Sequence, residues 1–267
     1  MDGFESGRKI SGQVPAVERA IALLRYLEEN VAPSACTVTR IAAALGLHKS
    51  TTSNILRTLR AGGLIAYDPD SKSFRLGAEL IGLGMSAANR RDSRLIELKH
   101  LEALVRDTRY SCVIVEQLPN EQFLVVAKVD AFHEIKVTID IGQHFPPWAP
   151  ALARIAMAWR PIEDARAYFT RWPPPPATPN AVTGLDANLA ELARVRQRGY
   201  AVSVGEYYPS NTAISAPIFA QAGAPCRGIC LVSFTSELPK IRIPEVGEKL
   251  RAAAAAISRE LGATPPG

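Results

Sequence analysis

Residues 37–60, TVTRIAAALGLHKSTTSNILRTLR, leave the chain few ways to fold. Val38, Ile41, Ala42 and Leu45 recur at i, i+3, i+4 and i+7, which places them on one face of a short helix. Thr37 is placed to cap that helix through its hydroxyl, an interaction worth about 1 kcal/mol. Gly46 stops it, because glycine takes the left-handed backbone of a tight helix end at no steric cost. Three residues on, the same period resumes with Thr52, Ile55, Leu56 and Leu59 turned inward. The opposite face of this second helix carries Ser50, Ser53, Asn54 and Arg57, with Lys49 at its start. Two short helices around a glycine turn, the second with a small hydrogen-bonding face, form a helix-turn-helix. A helical hairpin with a merely solvated face is the plain alternative. Against it, the charged residues from 37 to 66 are Arg40, Lys49, Arg57 and Arg60, with no Asp or Glu among them.

The residues that follow spell a wing. Leu64 to Tyr67 and Ser73 to Leu76 are apolar-bearing runs on either side of Asp68-Pro69-Asp70-Ser71-Lys72. Asp before Pro suits the first two positions of a type I turn, since proline pre-sets the backbone angle there. Gly62-Gly63 lets the chain leave the second helix and double back. The expected unit, residues 14–76, is a winged helix-turn-helix. Its third helix begins at Pro15, which fits a first helical position, and buries a stripe of Val17, Ala20, Ile21, Leu24 and Leu27. Residues 77–91 are expected to form a linker helix, weakened by Gly82 and Gly84, that packs against a partner chain.

At 267 residues the chain has room for a second domain, and a hydrophobic share of 47% supplies real cores. Net charge of +5 is compatible with nucleic acid without pointing to it. Cys36, Cys112, Cys226 and Cys230 sit in apolar contexts without a CxxC pair and read as reduced, buried thiols. No apolar run approaches the roughly 18 residues that span a bilayer. The polar N-terminus lacks a signal-peptide core, so a cytoplasmic protein with a disordered first dozen or so residues is expected.

From residue 92 to 262 the pattern changes. Leu95, Leu98, Leu101, Leu104 and Val105 mark a helix, and strand-like runs follow at 111–118, 122–130 and 135–141. The last alternates Ile135, Val137, Ile139 and Ile141 with Lys136, Thr138 and Asp140. Helices are expected at 149–159, at 185–198 before Gly199, and at the C-terminus along Val246, Leu250, Ala253, Ile257 and Leu261. Strands are expected at 200–204, 213–219 and 228–234, and the proline run at 173–176 as an extended surface segment without a packing role. Hairpins mixed with helices that do not alternate strictly indicate an α+β domain around a largely antiparallel sheet.

VERAIALLRYLEE, VTRIAAALGLHKSTTSNILRTLRAGGLI, FRLGAELIGLG, LARVRQRGYAVSVGE and AISAPIF, in this order and spacing, resemble the IclR family of bacterial transcriptional regulators. The resemblance covers about residue 14 to 262. It implies operator DNA binding by the first domain, a GAF-like effector domain after the linker, and a homodimer or dimer of dimers. No cofactor, metal or membrane is implied.

If the second helix lies in a major groove, Ser50, Ser53, Asn54 and Arg57 reach bases or nearby phosphates. Lys49, Thr51 and Arg60, with Lys72 and Arg75 from the wing, read as phosphate contacts that position the domain. Asn54 is the sharpest base-reading candidate, because an amide pairs bidentately with adenine. Family members usually carry arginine there, which implies a different operator preference.

In the family the effector sits over the sheet beneath a loop that usually reads proline, histidine, small residues and Gly-Lys-Ala. Here that loop reads FPPWAPALAR, with Trp148 in the histidine's place and Ala153-Arg154 in place of Gly-Lys. The resemblance implies a pocket faced by Ala151, Leu152, Ser203, Ala213, Cys230 and Val232, with Trp148 nearby in contact or in packing. Ala213 and Val232 offer no hydrogen bonds, so a less polar, aromatic or other organic acid is expected, its polar end met by loop N–H groups, Ser203 or Arg154. The alternative is a GAF-like domain with cysteine redox or metal-dependent enzymatic activity. His48, His100, His133 and His144 are scattered without a known ligand spacing, and Cys226 and Cys230 lie too far apart along a strand for a disulfide. A regulator, not an enzyme, is the expectation.

Overall fold

The helix-turn-helix stretch closes around its own small core. The computed structural model describes residues 14–89, 93–132, 136–219 and 225–263, with Cys226 in backbone only. The expected disordered N-terminus, His133, Ile135 and the end of the linker helix lie outside the described residues. The chain divides into two compact units, Met1–Arg91 and Asp92–Gly267.

In the first unit, α1 (Pro15–Glu29), α2 (Val38–Ala44) and α3 (Lys49–Ala61) pack Leu23, Leu27, Cys36, Ile41, Leu56, Leu59 and Ile65 together. Thr37 caps α2, its Oγ1 accepting from the Arg40 backbone N–H at 3.4 Å, and Gly46 takes φ +63°. The expected stripe of α1 holds in part, with Leu27 buried and Ala20 and Leu24 packed against the core. Leu23 is buried as well, while Val17 and Ile21 are each 55% exposed. Apolar side chains cover so much of α1 that the period identifies a helix without saying which apolar side turns inward. The wing is the antiparallel pair β1 (Ile65–Asp68) and β2 (Ser73–Leu76), with Ile65 opposite Leu76. Its turn is held by the Asp68 carboxylate, which accepts from the Asp70 N–H at 3.0 Å and the Ser71 hydroxyl at 2.6 Å. Gly77 lies against the Gly63 carbonyl, where any Cβ would collide with backbone. In α4 (Glu79–Asn89) no residue is buried, and Ile81, Leu83 and Met85 are exposed.

The second unit is built on a six-stranded sheet in the order β5-β4-β3-β8-β7-β6, antiparallel throughout. Its strands are β3 (Ser111–Gln117), β4 (Phe123–Val129), β5 (His144–Phe145), β6 (Ala201–Val204), β7 (Asn211–Phe219) and β8 (Pro225–Phe234). On one face α5 (Arg94–Thr108) and α9 (Ile243–Glu260) meet Cys112, Ile114, Ile214, Ile229 and Leu231. On the other, α6 (Pro150–Met157), α7 (Ile162–Arg171) and α8 (Leu185–Arg198) meet Val113, Val115, Val125 and Cys230. This is the expected α+β architecture.

Two local expectations are corrected and one helix is added. Residues 136–140 are not a strand, although Val137 and Ile139 do turn inward. The edge of β4 is already used, since Gly142 and Gln143 pair with Val125 and Phe145 pairs with Phe123. Alternation there records burial without a ladder. Helix α7 is absent from the sequence expectations, because Ala165, Tyr168 and Phe169 are its buried residues among polar ones. In the proline run, Pro174 is buried. No helix among the described residues is long and apolar enough to cross a membrane.

Candidate functional site

Thr52, Leu56 and Leu59 anchor α3 in its bundle, and Thr52 also ties back to the His48 carbonyl at 3.2 Å. That orientation leaves Lys49, Ser50, Ser53, Asn54, Arg57 and Arg60 exposed, with Thr51 half-buried at the edge. An Arg57 Nη donates to the Asn54 side-chain carbonyl at 3.0 Å, so the two best base-reading candidates are already paired along the helix. The Arg60 guanidinium lies 5.3 Å above the Tyr67 ring, joining the end of α3 to the wing. Lys72, at φ 52°, and Arg75 are exposed on the wing. They share it with Asp68 and Asp70, and hydrogen bonds from Ser71 and Asp70 hold the Asp68 carboxyl below its usual range. The wing is thus of mixed charge, whereas α3 is purely basic. Its first-turn N–H groups, near Lys49, Ser50 and Thr51, lack intrahelical acceptors and favour a phosphate.

In the second unit a cavity of about 120 Å³ lies between the sheet and the start of α6. Ala151, Leu152, Ser203, Ala213, Cys230 and Val232 all line it. Strand parity explains the convergence. Val113 and Val115 of β3, Cys230 and Val232 of β8, Ala213 of β7 and Ser203 of β6 share one face of the sheet. Sequence reasoning missed Val137, Ile139, Phe145, Tyr207 and Tyr208, which close the cavity from outside the long strands and α6. The doublet of tyrosines after GE was the available signal. Among the described residues no charged side chain lines the cavity; Thr138, Gln143, Ser203, Asn211 and the two tyrosines are its polar members. Burial pushes the Tyr207 phenol up to about 12 and the Cys230 thiol up to about 11.

Two expected residues are placed elsewhere. Trp148 is not in the lining; it stacks on Tyr207 at 5.1 Å and backs the wall. Arg154 is not free for a ligand. Its guanidinium is 2% exposed and grips Glu206 through both Nη atoms, at 2.7 and 2.6 Å. A buried carboxylate needs a cation, and Glu206, fifty-two positions away in sequence, claims this one.

A family model described as the IclR helix-turn-helix domain matches residues 16–69, and one described as bacterial transcriptional regulator IclR C-terminal matches residues 85–259. The chain belongs to the IclR family. The glycerol operon regulatory protein of Streptomyces coelicolor is 30% identical over 253 residues, covering 94% of this chain and 97% of that one. The HTH-type transcriptional regulator KipR of Bacillus subtilis is 27% identical over 248 residues, 93% of this chain and 97% of its own. Among solved structures, an IclR regulator from Alicyclobacillus acidocaldarius superposes with a TM-score of 0.84 at 29% identity, covering 94% of this chain and all of that one. An IclR homologue from Microbacterium hydrocarbonoxydans, crystallised with 4-hydroxybenzoate, shares the fold at a TM-score of 0.76 and 22% identity, over 93% of this chain and 100% of its own. IclR relatives are named as regulators, so this chain is a transcriptional regulator and not an enzyme. The redox and metal alternative gains no support. Cys112 and Cys230 belong to opposite faces of the sheet, and burial raises both thiols. Among the described residues no three His, Cys, Asp or Glu side chains gather to hold a metal.

Proposed function

We propose that this IclR-family regulator holds a small aromatic effector, a single-ring organic acid or its neutral analogue, in the cavity beneath α6, and that occupancy tunes its grip on operator DNA. The cavity's size and lining carry this reading. Its volume of about 120 Å³ is close to the roughly 150 Å³ of an engineered apolar cavity that takes benzene. Among the described residues a carboxylate would find no cationic side chain there. It would rest on Ser203 and on the first-turn N–H groups of α6 at Ala151 and Leu152. The 4-hydroxybenzoate bound by the Microbacterium homologue is a ligand of this class.

On DNA, Asn54, Arg57, Ser50 and Ser53 are assigned to base edges and neighbouring phosphates, and Lys49, Thr51, Arg60, Lys72 and Arg75 to positioning contacts. The operator-bound species is a homodimer or a dimer of dimers, a reading supported by the exposed apolar residues Val17 and Ile21 of α1 and Ile81, Leu83 and Met85 of α4. A thermal-shift panel of 4-hydroxybenzoate, phenol and short aliphatic acids tests the sensor half, with the single-ring compounds expected to stabilise most. Silence from every class sinks it.

A further inference from the structure

The Arg154–Glu206 pair lies outside the cavity yet joins two of its walls. Arg154 stands two residues past Leu152 on α6, and Glu206 immediately precedes Tyr207 and Tyr208. Besides Glu206, the guanidinium donates to the Val202 carbonyl at 3.0 Å, next to Ser203 in β6, and to the Asn188 side chain of α8 at 3.5 Å. Asn188 in turn holds the Val182 and Gly184 carbonyls at 2.9 and 3.0 Å. The tyrosine segment itself, residues 205–210, belongs to no strand or helix, starts at Gly205 with φ +66°, and leaves Tyr208 56% exposed. The Thr178 hydroxyl holds the start of this segment, donating to the Gly205 and Glu206 carbonyls at 2.6 and 3.4 Å, and the Glu206 carboxylate ties it to α6.

We propose that Arg154 and Glu206 are positioning residues whose ion pair seats the tyrosine segment against α6, and so sets the width of the cavity and the size of ring it admits. An arginine suits the task because its planar fork engages both carboxylate oxygens at once, fixing orientation as well as distance; a lysine ammonium fixes only a point. The consequence for ligand size rests on the effector reading of the cavity. The seating of the segment does not.

Trp148, stacked on Tyr207, reports that seating. The chain has three tryptophans, so in full-length protein carrying Trp159→Phe and Trp172→Phe the signal belongs to Trp148. Acrylamide quenching is then compared between the intact pair and Arg154→Met/Glu206→Leu, a replacement by apolar side chains of similar volume that a buried pair generally tolerates. The double variant is expected to keep its cooperative melt while its quenching constant rises about threefold, with Arg154→Lys in between. A folded double variant with unchanged quenching overturns the proposal. Should the double variant not fold, Glu206→Gln, which keeps the shape and removes the charge, takes its place: raised quenching supports the seating role and unchanged quenching overturns it. In a second arm, phenol and 1-naphthol are compared by thermal shift. The intact chain should discriminate strongly for the single ring and the double variant should lose most of that preference; equal discrimination overturns the size claim. If phenol fails to stabilise the intact chain, the effector reading falls, while Trp148 still decides the seating.

Discussion

Glu206→Ala removes the acid from a guanidinium that is 2% exposed. Arg154 would lose contacts of 2.6 and 2.7 Å and keep the Val202 carbonyl at 3.0 Å and Asn188 at 3.5 Å. Its Nε is buried without a protein partner already. Arginine does not shed its proton in proteins, so the charge stays at a largely buried position. Removing one member of a buried pair costs about 3–5 kcal/mol. In a domain of this size each kcal/mol moves the melting temperature by about 2–4 °C, so a fall of about 6–20 °C is expected. Differential scanning calorimetry of the full chain reads it directly. Arg154→Met/Glu206→Leu should return most of the loss, because no lone charge remains. A single variant that melts within about 2 °C of the intact protein refutes the reasoning. So does a double variant no more stable than the single.

Arg57→Ala and Asn54→Ala should each weaken binding to a selected operator by about 1–3 kcal/mol and relax its sequence preference, whereas Lys72→Ala should mainly flatten the log-affinity against log-salt slope by about 0.9. Gel shifts over a salt series on operator and random DNA separate the two, and equal losses on both DNAs from Arg57→Ala would demote it to a phosphate contact. Gly77→Ala drives a methyl group into the Gly63 carbonyl, which is backbone and cannot swing away, while Gly228→Ala meets chiefly the movable tip of Ile155. Urea unfolding should therefore show Gly77→Ala losing at least the roughly 1–3 kcal/mol typical of overpacking and Gly228→Ala less; the reverse order contradicts the stated clash. With the folded Cys230 thiol at about 11, above its unfolded value, the neutral form and the stability it confers are present through pH 8 and fade as pH climbs towards 11. Mass-mapped iodoacetamide labelling at pH 8 should find Cys230 slow in the native chain and fast after denaturation. Rapid native labelling would show the burial argument to be mistaken.

The winged domain is legible in the sequence because each of its signals is local: Thr37 caps its own helix, Gly46 turns it, and Asp68 folds the wing over three residues. The cavity is half legible. Strand parity and the family's order place Ala213, Cys230 and Val232 on one wall, but Tyr207, Tyr208 and Ile139 arrive on irregular segments with no period to read. Arg154 misleads for a related reason. Its chemistry matches a ligand contact, and the carboxylate that claims it lies fifty-two residues further along. Val17 and Ile21 mislead because an apolar residue at the right interval satisfies the pattern whether it meets a core or an open surface.

The central strands carry two vocabularies in alternation. Ile114, Ile229, Leu231 and Ile214 hold the sheet onto α5 and α9, while their immediate neighbours Val113, Cys230, Val232 and Ala213 look into the hollow. Substitution at the first set loosens α5 and α9, whereas substitution at the second, which also packs against α6, redraws the contour of the chamber. If the hollow holds the effector as proposed, a lineage built on this sheet can trade one signal molecule for another by changing every second letter of three strands, with the architecture that reads DNA left alone.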